Sequence, residues 1–183
     1  MKRDGIGFPQ QPGQFGADLG RCWNARISDA EIKSYIEKKY PDESRIDFLV
    51  KYSMGIPGYV DTIIEDEEFE AIREEVLNLL PRLLSKNKIH SFDVADYIDE
   101  HKDSAAEIYD MMIMYLRDAI VYATGKTDKI INSDKIEKIH LLAANYDTRL
   151  LVLAIDELIL SKKMLERYVK ASATALHAGL KIK

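Results

Sequence analysis

The residues of this chain best equipped for chemistry are Gly125-Lys126-Thr127, four histidines, one cysteine and the acidic run Glu65, Asp66, Glu67, Glu68 and Glu70. Glycine, lysine and threonine in that order close a phosphate-binding loop, GxxxxGK[ST], whose backbone amides cradle phosphate while the lysine neutralises it. The spacing rejects this reading: the first glycine belongs at Ile120, and the preceding residues carry a helical pattern where the loop needs a strand. Gly125 reads as a helix stop, with Lys126 a cation at the negative end of the helix dipole. His90, His101, His140 and His177 each lack a second His or Cys three or four positions away, which argues against a metal site and against histidine catalysis. Cys22 stands alone, which excludes an intramolecular disulfide, a cysteine-built zinc site and a CxxC pair, and fits a reducing, cytoplasmic setting. Consecutive acids point in different directions around a helix, so residues 65–70 read as a solvated first turn and not as a metal cluster. No nucleophile elbow, HExxH or EF-hand loop occurs. The residues build no catalytic constellation, and no metal or cofactor is expected.

The elements that would position any site follow from composition and periodicity. A chain of 183 residues, 46% hydrophobic and 31% charged, has the apolar surface for one large domain or two small ones and is not globally disordered. Its net charge of −5 argues against a protein that coats phosphates, so DNA is not expected as a direct partner. The densest apolar stretch, Leu150 to Leu160, is interrupted by Asp156 and Glu157 and falls short of the ~20 residues of a membrane helix. Lys2 and Arg3 are followed by Gly, Gln and Pro, with no apolar signal segment. Residues 1–20, rich in Gly and Pro, read as a flexible leader.

From Ser28 onward the signals are helical. Ser28 and Glu31 form a capping box ahead of Ile32, Tyr35, Ile36 and Tyr40, and Pro41 ends that helix. A second helix is predicted from Asp42 to Gly55, and a third short one after Pro57 and Gly58. Phe69, Ile72, Val76, Leu79, Leu80 and Leu83 mark a long helix that Pro81 should kink or break. Ser91 is placed to cap the next helix, and Ser104 with Glu107 makes a second capping box. The broad stripe from Ile108 to Ala123 belongs to a central bundle helix ended by Gly125. Ser133 opens a further helix, and Asp147 opens a last long one. With no period-two alternation, the class is all-α. On that last helix Leu150, Leu151, Val152, Leu153, Ile155, Leu158, Ile159 and Leu160 go nearly all the way round. Part of this surface, with Leu151, Ile155, Leu158 and Ile159 as the candidates, must meet a partner.

Four stretches in order resemble the lid and C-terminal collar of the bacterial DNA polymerase III delta-prime subunit, a clamp-loader component. Leu19-Gly20-Arg21-Cys22 is similar to the family's Ser-Arg-Cys element, and Tyr52-Ser53-Met54-Gly55-Ile56-Pro57-Gly58-Tyr59-Val60 to the turn joining two lid helices. Glu67-Glu68-Phe69 resembles the start of the collar, and Met114-Tyr115-Leu116-Arg117-Asp118-Ala119 the family's WYRDxL helix, with Ile131-Asn132-Ser133-Asp134 after it. The AAA+ nucleotide-binding domain that precedes these elements in the family has no counterpart in the sequence.

The resemblance implies a leader at 1–20, a three-helix AAA+ lid at 21–65 and an oligomerising helical-bundle collar at 66–183. It implies assembly with clamp-loader subunits of the gamma/tau and delta types, DNA contact only through the assembly, and no membrane. Arg21 occupies the place of an arginine finger that reaches a neighbour's ATP. In the turn of Gly55, Pro57 and Gly58, Gly58 stands where ATP-hydrolysing relatives carry a sensor arginine, so the protein is implied to be non-catalytic. Arg117 and Asp118 are expected to anchor neighbouring helices by charge-assisted hydrogen bonds. The competing reading from the residues alone is a free-standing all-α small-molecule-binding or regulatory domain, with a pocket lined by Tyr109, Met112 and Tyr115.

Overall fold

The computed structural model describes residues 26–182, and all the regular structure among them is helical. Among the described residues nine α-helices follow one another: α1 Asp29–Lys39, α2 Ile46–Tyr52, α3 Pro57–Glu65, α4 Phe69–Leu83, α5 His90–Glu100, α6 Ala105–Ala123, α7 Ile136–Asn145, α8 Thr148–Glu166 and α9 Ala171–Lys181. Short 3₁₀ turns lie at Lys102–Ser104, Thr127–Lys129 and Ser133–Lys135. The chain divides into two compact units. Among the described residues the smaller holds 26–69 and 131–136, and the larger holds 70–130 and 137–182.

In the smaller unit the Ser28 capping box forms, with Glu31 Oε2 accepting from the Ser28 amide at 2.8 Å. Ile32 and Ile36, one turn apart, are completely buried. Helix α2 begins at Ile46 and not near Asp42, because Glu43 folds back to accept from the Arg45 amide and guanidinium and holds the preceding turn out of the helix. Its Phe48 and Tyr52 meet each other and Phe69, with ring centroids 4.9 to 6.4 Å apart. Between α2 and α3 the backbone turns through the left-handed region at Met54 and Gly55. A Cβ at Gly55 would come within 2.6 Å of the Ile27 carbonyl, so glycine is required there for space as well as for φ. The chain returns to this unit at residues 131–136, where the 3₁₀ turn Ser133–Lys135 packs on α2.

In the larger unit α6 is the buried axis. Ile108, Tyr109, Met112, Tyr115, Leu116 and Ala119 are all excluded from solvent, each large side chain contributing ~1.5–3 kcal/mol by burial. It packs on α8, α8 on α9, and α9 on α5. Thr174 of α9 joins three of these helices: its Oγ1 pairs with Tyr109 Oη at 2.7 Å, and its carbonyl accepts from Ser161 Oγ at 2.9 Å. The α5–α9 contact is close because it is built from Ser91, Ala95, Ala171, Ala175, Ala178 and Gly179. Lys88 clips the end of α9, its Nζ donating to the Gly179 and Ile182 carbonyls at 2.8 and 2.6 Å. Lys138 of α7 pairs with Glu74 of α4.

Several local expectations are corrected. Helix α4 runs through Pro81 and stops at Leu83, because a proline in the last turn forfeits one hydrogen bond and the Leu84 amide still reaches the Leu80 carbonyl at 3.0 Å. Ser91 is buried inside α5 and caps nothing; Asn87 Oδ1 takes the Ile89 amide in the turn ahead. Ser104 makes no side-chain cap, since the 3₁₀ turn before α6 leaves it at φ −111°, ψ 12° and not in the extended conformation a cap needs. Asp147 does cap α8, accepting from the Leu150 amide at 2.9 Å, and Gly125 ends α6 at φ +77°. Helix α8 is not the last: Tyr168, at φ +63°, ends it, and α9 follows.

A Cβ at residue 179 would sit 2.6 Å from Ser91 Cβ. Gly179→Ala is therefore expected to destabilise the larger unit by about 1–3 kcal/mol in chemical denaturation, and adding Ser91→Gly should recover part of the loss.

Candidate functional site

Helix α8 sorts its apolar residues onto two faces. Leu151, Ala154, Leu158 and Ser161 recur every three or four positions and are buried. On the other side Val152, Leu153, Ile159 and Leu160 are 44%, 45%, 38% and 45% exposed. Four large apolar side chains on one helix, each nearly half in water, form an uncovered face of the larger unit. This corrects the candidate set: Leu151 and Leu158 belong to the core against α6, Ile155 is half-buried, and Ile159 alone of the four is exposed. Val152, Leu153 and Leu160 complete the exposed face, which apolar content alone did not separate from the buried one.

The other predicted residues fall in different places. Arg21 lies outside the described residues. Gly55, Pro57 and Gly58 form the turn into α3, with Pro57 at its first position and Gly58 in its first turn. Arg117 Nη1 donates to Asp118 Oδ1 at 2.6 Å and to the Lys129 carbonyl at 2.8 Å, tying α6 to the 3₁₀ turn that follows it. Asp118 is fully buried and Arg117 half-exposed. Tyr109, Met112 and Tyr115 are packed into the core, where burial pushes the Tyr109 phenol up to about 12. An open cleft of about 650 Å³ lies elsewhere, where α4, α7 and α9 end and α8 begins, lined by Leu84, Lys86, Lys88, Tyr146, Leu150 and Ile182 among others.

Among the described residues no group of three or more His, Cys, Asp or Glu is placed to hold a metal ion, and no helix is long and apolar enough to cross a membrane. The histidines serve locally: His90 lies 3.5 Å from Asp93, His101 Nδ1 meets the Tyr97 carbonyl at 2.9 Å, His140 rests on the Tyr122 ring, and His177 is 3.7 Å from Glu157.

The model for the C-terminal domain of the DNA polymerase III delta subunit matches residues 67–172, more than half of the chain. The chain belongs to this family. The region shared with the delta family covers α4 to α8 and the start of α9, and so includes the buried axis α6, the Arg117–Asp118 pair and the exposed face of α8. No curated protein and no solved structure matches the chain significantly.

Two variants test the polar groups of this family region. Asp118→Ala should cost about 2–3 kcal/mol and Arg117→Ala about 1 kcal/mol, because the carboxylate is buried and the guanidinium half in water; denaturant midpoints report the order.

Glu107 Oε2 is enclosed without a hydrogen-bond partner, and burial raises the carboxyl above its ordinary value, with Asp110 acting the same way. A raised folded-state value contributes stability below the unfolded value and loses it as pH rises through the folded one. Glu107→Gln should therefore melt higher than the wild type at neutral pH, with the advantage vanishing below about pH 4.

Proposed function

We propose that this chain is a delta-prime-like, non-catalytic subunit, or part of one, of the DNA polymerase III clamp loader. Residues 66–183 act as its collar and 21–65 as an AAA+ lid-like domain. The collar stands beside the collars of gamma/tau- and delta-type subunits in a hetero-oligomer that loads the sliding clamp in the cytoplasm and holds DNA only through the assembly. The observation that carries this reading is the uncovered face of α8, Val152, Leu153, Ile159 and Leu160, within the residues that match the family. Covering these side chains is worth on the order of 1 kcal/mol each, a contribution to association between C-terminal domains that further contacts of the assembly add to.

The turn of Gly55, Pro57 and Gly58 supports the non-catalytic assignment. Glycine at the sensor position offers no charge to a γ-phosphate, and the fixed φ of Pro57 starts α3 without help from a ligand. Arg21 serves as the finger toward the ATP of a neighbouring subunit.

Co-elution of the full chain with the clamp loader's ATPase and delta subunits tests the assignment. The wild type should enter a stable complex, and Val152→Asp with Leu160→Asp should weaken it at least about tenfold without changing the chain's own melting temperature. Absence of wild-type association, or an undiminished complex with the double variant, contradicts the proposal.

A further inference from the structure

The outer face of α8 carries charges in a fixed order between its apolar residues. Val152 and Ile159 stand seven positions apart, as do Leu153 and Leu160, so the four exposed side chains form two apolar layers on one side of the helix. Arg149, Asp156 and Lys163, again at intervals of seven, lie before, between and after those layers, and all three are exposed. Along the helix the face runs basic, apolar, acidic, apolar, basic. Arg167, one turn further on, extends the second positive end. Among the described residues none of these four charged side chains has an ion-pair partner, so the face presents its charges as well as its apolar layers to whatever covers it.

A seven-residue repeat stays in register with a neighbour when two helices pack nearly side by side, at about 20°, so the cover it fits is another α-helix lying along α8. A second copy of α8 is the wrong one. The order is palindromic about Asp156. In an antiparallel two-fold pair Val152 and Leu153 meet Leu160 and Ile159 of the other copy, but Asp156 meets Asp156 on the axis and Arg149 meets Lys163 at both ends. A parallel pair in register sets each charge against its own kind. Sliding one copy by seven positions brings Asp156 to a base but leaves one apolar layer of each copy uncovered. Each of these self-pairings therefore loses either the charges or half of the apolar contact, and like charges brought together as water leaves are strongly unfavourable.

We propose that the outer face of α8 selects its partner by charge order: it accepts an α-helix that runs acidic, apolar, basic, apolar, acidic at the same intervals, and it rejects a second copy of this chain. The central base of that helix meets Asp156, and its two acids meet Arg149 and Lys163. The inference rests on the reading of this face as an interface between C-terminal domains and adds the chemistry of what it meets there. A subunit of this kind joins a mixed assembly without first pairing with itself.

The inverted order can be built on the chain itself. Arg149→Glu, Asp156→Lys and Lys163→Glu together leave both apolar layers unchanged. In sedimentation equilibrium of the full chain at low salt, wild type and triple variant mixed should associate one to one at least about tenfold more tightly than either does with itself, and added salt should reduce that preference. Should the triple variant fail to fold by circular dichroism, Asp156→Lys alone is mixed with the wild type, and the same direction is expected. A second arm uses the clamp loader's ATPase and delta subunits, whose complex with the chain Asp156→Lys should weaken at least about tenfold. A mixture no tighter than the wild type alone, or a natural complex that Asp156→Lys leaves undiminished, overturns the proposal. If the wild type enters no complex with those subunits, the interface assignment itself fails, and the mixing experiment still decides the charge order.

Discussion

Helix α6 buries a broad apolar stripe along most of its length, and the larger unit is arranged around that constraint. A helix with Ile108, Tyr109, Met112, Tyr115, Leu116 and Ala119 all excluded from solvent must be covered along its length, and the cover is supplied chiefly by α8. The polar cost of the arrangement is met at Thr174, where one residue satisfies the Tyr109 hydroxyl through its side chain and the Ser161 hydroxyl through its carbonyl. Those two bonds fix α9 against both α6 and α8. The small residues of the α5–α9 seam then set how near α5 can approach, and Lys88 holds the far end.

The same constraint divides α8. Covering α6 uses Leu151, Ala154, Leu158 and Ser161, and a helix has a single such stripe; Val152, Leu153, Ile159 and Leu160 are left outside. A helix apolar nearly all round is suited to two tasks, one within its own unit and one at a boundary with another surface. In a family of DNA polymerase III subunits, assembly is the boundary task this arrangement fits best.

Much of the fold was legible because its signals are local. The Ser28 box, the Asp147 cap and the Gly125 stop each depend on a few adjacent residues, and each formed. The failures share a different cause. Ser104 carries the right residues for a cap, but the 3₁₀ turn before it sets the wrong backbone angles. Ser91 looks like a cap and is instead a packing surface for Gly179, a contact across 88 positions of sequence that no local pattern encodes. The excursion of residues 131–136 to the smaller unit is likewise a tertiary choice. Of the candidate interface, the helix was legible and the face was not: Leu151 and Ile159 are equally apolar, and only the position of α6 makes one core and the other surface. The pairing of Lys39 with Asp61, 22 positions further along the chain, is tertiary in the same way.

The central claim is that the outer face of α8 meets the C-terminal domain of another clamp-loader component. A photo-crosslinking residue at Val152, in the full chain mixed with the clamp loader's ATPase and delta subunits, tests it most directly. The account predicts a cross-link to the C-terminal domain of one of those subunits, and none from the same probe at Asp29 on the exposed start of α1. Cross-linking from Asp29 but not from Val152, or from neither position, would contradict it.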